Sequence, residues 1–248
     1  MYKILNSTAI ACAILLGSSG VTFSADDDLS ASSNVSSWGG KYIGLSLGYG
    51  DGDFGWDFVS QVGGASDRGT LGQNIDGDFD GIIASAHLGY NWQSGRFLVG
   101  IEGSFSATNI ESSGVNSTFG VMDDVYFTDI DNIASITGRL GFLATDNVLI
   151  YGKGGYAGAN ITTRIVDTFP GDQIGFPDSE WHNGYQYGAG VEIRASENIT
   201  WGIEYNRYDF NEENHTVNFS LNNPANGSVT DAVEAELDSV VFRISRRF

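Results

Sequence analysis

Ile199-Thr200-Trp201-Gly202-Ile203-Glu204-Tyr205-Asn206 alternates without a break: Ile199, Trp201, Ile203 and Tyr205 share one face of an extended chain, and Gly202, Glu204 and Asn206 the other. Successive side chains of a strand point to opposite sides, so this segment has one large apolar face and one small, polar, charged face. A strand with lipid outside and a packed lumen inside needs about ten residues of that pattern. Seven further segments repeat it.

In the first, Ile43, Leu45, Leu47 and Tyr49 oppose Gly44, Ser46 and Gly48. The second sets Ile82, Ala84, Ala86, Leu88, Tyr90 and Trp92 against Ser85, His87, Gly89 and Asn91. Phe97, Val99, Ile101 and Phe105 oppose Gly100, Glu102, Ser104 and Ser106 in the third; Ala134, Ile136, Leu140 and Phe142 oppose Ser135, Thr137 and Arg139 in the fourth. The fifth turns Val148, Ile150 and Tyr156 away from Lys153, with Gly152, Gly154, Gly155 and Gly158 suggesting close packing or curvature. Tyr185, Tyr187, Ala189, Val191 and Ile193 against Gln186, Gly188, Gly190 and Glu192 make the sixth, and Ile199 to Asn206 the seventh. The last places Val240, Phe242, Ile244 and the terminal Phe248 outward, with Ser239, Arg243 and Ser245 inward.

Three connections are tight: Gln93-Ser94-Gly95, Ala144 to Asn147 and Ala195 to Asn198. Between them stand four long polar stretches, roughly 51–80, 108–132, 160–183 and 210–236, read here as loops. Loops of that length are uncommon in compact soluble domains. Short turns at one end and long loops at the other, with an even strand count, predict an all-β, eight-stranded antiparallel up-and-down transmembrane β-barrel. A soluble eight-stranded barrel would place the apolar residues inside. The faces proposed as inward carry Glu102, Arg139, Lys153, Glu192, Glu204 and Arg243, which such a core does not tolerate.

Composition agrees with many strands. The 248 residues include 34 Gly and only 3 Pro, and aromatics make up 12%. A net charge of −19 argues against nucleic acid as a partner, because phosphate binding requires clustered Lys and Arg.

Residues 1–25 read as a signal peptide: Lys3, an apolar stretch from Ile10 to Leu16, then Ser24-Ala25 before Asp26-Asp27-Asp28. Cleavage is expected near Ala25, with Ser24 as the alternative because Phe23 sits where a small side chain is usual. Cys12, the only cysteine, follows Ala9-Ile10-Ala11 inside the apolar stretch, which disfavours a lipoprotein reading. Residues 26–37 form a polar lead-in, and 38–248 the barrel.

Trp38-Gly39-Gly40-Lys41-Tyr42-Ile43-Gly44 resembles the start of the porin-family, OmpA-like outer-membrane barrels that serve as surface antigens in alphaproteobacteria. Phe79-Asp80-Gly81, Gly89-Tyr90-Asn91-Trp92-Gln93, Val99-Gly100-Ile101-Glu102-Gly103, Glu204-Tyr205-Asn206-Arg207-Tyr208 and the terminal Phe248 carry the same likeness across residues 38 to 248. The resemblance implies a cell outer-membrane location in a Gram-negative bacterium, and insertion by a barrel-assembly machinery that reads Val240, Phe242, Ile244 and Phe248. Arg246 departs from that signal, standing where the family usually has an apolar or aromatic residue. With the eighth strand at the end of the sequence, no peptidoglycan-binding domain like that of full-length OmpA proteins is expected.

Glu102, Arg139, Lys153, Glu204 and Arg243 all lie about five residues from the short-turn end of their strands, so they are expected to form one salt-bridged layer plugging the lumen. A narrow path for ions or small solutes through that layer is the alternative. Trp92, Phe97, Phe142, Trp201 and Phe248 fall near the short turns and are expected to make an aromatic girdle.

Asp76-Gly77-Asp78-Phe79-Asp80-Gly81 matches half of a calcium loop, but His87 stands where the bidentate Glu belongs, so an acidic loop is the simpler reading and no metal is expected. His182 has Ser179 and Glu180 near it in sequence, which establishes no triad. His182 and His215 are read as the only exposed axial ligands for a haem-capturing role, a third alternative opposed by the acidity of the loops. The sequence therefore predicts a non-enzymatic, cofactor-free surface barrel. Its expected partners are outer-membrane lipids and lipopolysaccharide, the assembly machinery, and a host or environmental ligand at the loops.

Overall fold

The computed structural model describes residues 37–62, 74–116, 124–167, 173–219 and 227–248. The expected signal peptide and all of the lead-in except Ser37 lie outside them. Eight long strands are present: β1 (Gly40–Val62), β2 (Asn74–Ser94), β3 (Phe97–Ser112), β5 (Asp124–Thr145), β6 (Val148–Asp167), β8 (Asp178–Arg194), β9 (Ile199–Asn218) and β10 (Ser228–Arg247). Two short strands, β4 (Val115–Asn116) and β7 (Gln173–Ile174), pair with β5 and β6. Each long strand is antiparallel to its neighbours in sequence, and β1 pairs with β10, so the sheet closes on itself. Closure pairs each of the eight long strands on both sides, which a wall in lipid requires.

The turns joining β2 to β3, β5 to β6 and β8 to β9 lie at one end. Gly95 takes a positive φ of 58° in the first of them, a conformation that suits glycine. In the half of the barrel nearest those turns the expected alternation holds. Ile43, Leu45, Leu47 and Tyr49 all project outward and are exposed, as are Val240, Phe242 and Ile244.

The readings of 51–80, 108–132, 160–183 and 210–236 as long loops need correction, because most of those residues are strand. A tilted strand crosses the apolar layer in roughly 9–11 residues. Here β1 has 23 residues and β10 has 20, so the barrel continues well past the apolar band. Beyond Tyr49 the polarity of the wall inverts. Asp51 and Asp53 point outward while Phe54 and Trp56 are buried. On β2, Asp76, Asp78 and Asp80 point outward and Ile75 and Phe79 are buried; on β10, Glu234 and Glu236 oppose Ala235 and Leu237.

The cause is the solvent on each side. Within lipid the apolar face must look out; past the lipid the outside is water, and the same chain buries its apolar side chains in the lumen. The far half of the lumen is therefore an apolar core. Phe54 stacks on Phe79 at 5.9 Å, and Trp56 meets Tyr126 edge-on at 5.0 Å. The Trp56 indole N–H donates to Thr128 Oγ1 at 2.8 Å, satisfying its one polar group. Full burial of each large side chain contributes roughly 1.5–3 kcal/mol.

Candidate functional site

The near half of the lumen is polar, and its centre is a charge network. Strands β3, β5, β6, β9 and β10 bring Glu102, Arg139, Lys153, Glu204 and Arg243 together, each 9% exposed or less. Arg243 Nη2 lies 2.6 Å from Glu102 Oε2, and its Nη1 pairs with Glu204. Lys153 Nζ bridges the same two carboxylates, at 3.2 Å from Glu102 and 2.8 Å from Glu204. Arg139 donates to Glu192 Oε1 at 2.8 Å and lies 3.6 Å from Glu102.

Glu192, inward-facing but outside the expected layer, stands nearer the strand end and joins the network because the long Arg139 side chain reaches it. With Glu192 included, three cations face three carboxylates and the network is neutral. Tyrosines complete it. Tyr42 Oη donates to Glu102 at 2.9 Å and accepts from Arg139 at 3.0 Å, while Tyr151 Oη donates to Glu204 at 2.6 Å. The Arg139 guanidinium lies 3.9 Å from the Tyr151 ring centre. A Cβ on Gly190 would sit 2.5 Å from the Tyr151 hydroxyl, so glycine there makes room for the phenol. These are the partners that buried charges require.

Little space remains around the network. A cavity of about 10 Å³ lies among Ser46, Ser85, Ser104, His87 and the charges, roughly the room one water needs. His87 is buried, 2.8 Å from Ser245 Oγ. Below the network Trp38 fills the mouth at the short-turn end and is wholly buried. Its indole N–H donates to the Asp146 carbonyl at 3.1 Å, and the guanidiniums of Arg194 and Arg247 lie 4.9 and 4.8 Å from its ring. Sequence reading missed this stopper because Trp38 precedes the first strand and belongs to no alternating pattern.

The girdle residues Trp92, Phe97, Phe142, Trp201 and Phe248 all project outward and are exposed, Phe248 most at 72%. Phe97 and Phe142 pair across β3 and β5 at 5.5 Å.

Two histidine readings are corrected. His182 and His215 are not exposed axial ligands: both are 0% exposed, inside the far half of the lumen. Their Nε2 atoms are 2.8 Å apart. His182 Nδ1 faces the Asn211 carbonyl at 3.0 Å and must donate to it, so the His182 Nε2 accepts from His215, whose Nδ1 in turn accepts from Thr163 Oγ1 at 3.0 Å. Every imidazole nitrogen is used with both rings neutral. Ser179 stands on the opposite face of β8 from His182, bonded to Thr162 at 2.7 Å, so the two do not meet. The half-calcium-loop motif is strand, with Asp76, Asp78 and Asp80 in a row on the outer wall rather than curled around a centre. Among the described residues no cluster of three or more His, Cys, Asp or Glu is placed to hold a metal.

A closed barrel with an apolar outer band has an established counterpart. The family model described as outer membrane protein beta-barrel domain matches residues 13–226. The chain belongs to this family. Its relatives include the 22 kDa outer membrane protein of Rhizobium leguminosarum bv. viciae, 31% identical, covering 73% of this chain and 68% of that one. The 31 kDa outer-membrane immunogenic protein of Brucella melitensis is 26% identical over 72% of this chain and 73% of its own length. Among solved structures, the outer membrane protease OmpT of Escherichia coli superimposes with a TM-score of 0.53 at 9% identity, covering 84% of this chain and 97% of that one; the likeness is one of fold. As a member of the outer membrane β-barrel family the protein resides in the cell outer membrane, where its apolar band meets lipid.

Proposed function

We propose that this protein is a sealed, non-enzymatic surface barrel. Its short turns face the periplasm, and its extended acidic wall and the connections above it face the environment. The observation that carries the reading is the ion-paired network of three cations and three carboxylates across the lumen, with the apolar core on one side of it and Trp38 on the other. An eight-stranded barrel has an interior that side chains just fill, and this one is filled at three successive levels. Catalysis finds no foothold in the three histidines, each buried in the lumen. The terminal strand, with Val240, Phe242, Ile244 and Phe248 outward, supplies the signal for the assembly machinery. Relatives named as immunogenic outer-membrane proteins support exposure of the far end to the outside.

Liposome swelling tests the seal. Vesicles carrying folded protein should swell in small sugars or amino acids no faster than empty vesicles, and swelling that declines with solute size would establish the pore instead.

A further inference from the structure

The outer wall carries opposite charges at its two ends. Past the apolar band it bears carboxylates, but at the periplasmic rim it bears two cations, Lys41 of β1 and Arg246 of β10. Arg246 is the residue that breaks the apolar pattern of the last strand. Its side chain points outward with Ile244 and Phe248, and its guanidinium lies 5.4 Å from the Phe248 ring centre.

Arg246 pairs in register with Ile43, and the Phe248 N–H donates to the Lys41 carbonyl at 3.0 Å. Lys41 and Arg246 are therefore diagonal neighbours on adjacent strands, a separation of roughly 7–8 Å or less that long side chains span. No described residue gives either cation a salt bridge. By contrast, Arg139, Lys153 and Arg243 are paired in the lumen, and Arg207 pairs with Glu236 and Asp238 on the outer wall.

We propose that Lys41 and Arg246 form a binding site for the phosphate of an anionic glycerophospholipid in the periplasmic leaflet. The site is continuous with the lipid-facing band: Tyr90 stands opposite Lys41, Trp92 packs on Tyr90 at 4.8 Å, and Trp201 lies opposite Ile244. Acyl chains on Ile43 and Ile244 bring the head group to the level of the two cations. Arg offers a planar fork of N–H donors to phosphate oxygens and Lys a mobile point charge, a complementary pair for one phosphate. At the opposite rim the carboxylates repel the same group, so the charge distribution also favours one leaflet.

Trp92 and Trp201 supply the readout. Folded protein is placed in phosphatidylcholine vesicles containing phosphatidylglycerol brominated near the head-group end of its chains, and tryptophan quenching is followed. Native protein should be quenched more than random mixing of the two lipids allows. One cation near an anionic surface changes occupancy roughly fivefold, so Lys41→Gln/Arg246→Gln should lose most of the excess while retaining the heat-modifiable gel shift of a folded barrel. Quenching at the random-mixing level in native protein, or an excess unchanged in the folded double variant, would overturn the site. Should the double variant fail to fold, the same excess measured on native protein in rising salt decides: persistence of the preference at 1 M salt contradicts a charge-based site.

Discussion

Arg243 of β10 and Glu102 of β3 meet at 2.6 Å across the lumen although 141 residues separate them in the chain, and each is only 2% exposed. Both are shielded from bulk water. Glu102 also takes Lys153 and the Tyr42 hydroxyl, so it is the hub through which β1, β3, β6 and β10 are joined.

Truncating one member of such a network leaves uncompensated buried charge. Glu102→Ala should destabilise the folded barrel by about 3–5 kcal/mol, read as a lower urea midpoint for loss of the heat-modifiable form. A midpoint shift below experimental error would mean the charges are solvated and the lumen open.

The far half of the barrel depends on packing instead. Phe79→Ala removes the ring stacked on Phe54 and should cost about 3–5 kcal/mol. The loss should be local, with faster amide exchange in residues 51–62 and 74–80 and unchanged protection around Leu45 and Phe242.

The same half carries two buried titratable groups that are register partners, Asp231 and His215, and their pH dependences have opposite sign. Burial raises the Asp231 carboxyl to about 7, and its Oδ2 has no hydrogen-bond partner. A carboxyl with a raised folded-state pKa stabilises at pH values below its unfolded range near 4, and that contribution is lost as pH rises to about 7. Asp231→Asn should therefore stabilise the barrel above pH 7 and be nearly neutral at pH 4. His215 is lowered to about 4, by burial first and then by His182. Its contribution is present above pH 6.5 and fades as pH falls toward 4, where a second proton, on Nδ1, displaces the hydrogen bond accepted from Thr163. Amide protection factors around Thr163 should fall as pH drops across that interval, and a fall confined to pH above 7 would contradict the assignment.

Inverted polarity of the wall makes a topological prediction. In intact cells a membrane-impermeant maleimide should label Asp53→Cys and Glu236→Cys but not Leu47→Cys or Phe242→Cys. Labelling at Leu47 would place the apolar band elsewhere.

The half of the fold within the membrane was legible because lipid outside and a polar lumen inside impose a period of two with apolar residues outward, as in Ile199 to Tyr205. The extension was not, because the criterion was apolar-outward alternation. Asp53-Phe54-Gly55-Trp56-Asp57 also alternates, with the sign reversed, and a search for alternation of either sign would have found it. The charge layer was legible by counting residues from the short turns, whereas Glu192 and the tyrosines join through side-chain reach rather than position. Burial of His182 and His215 was not legible for the same reason as the strands that carry them: polar stretches such as 160–183 and 210–236 resemble exposed loops unless their inverted alternation is recognised.

The most direct test of the sealed lumen is the conductance of refolded protein in a planar bilayer, after a heat-modifiable gel shift has shown it folded. A silent bilayer is the predicted result, from the native protein and from folded Glu102→Gln alike, because the apolar core and Trp38 still fill the lumen; steady steps from the native protein would contradict it.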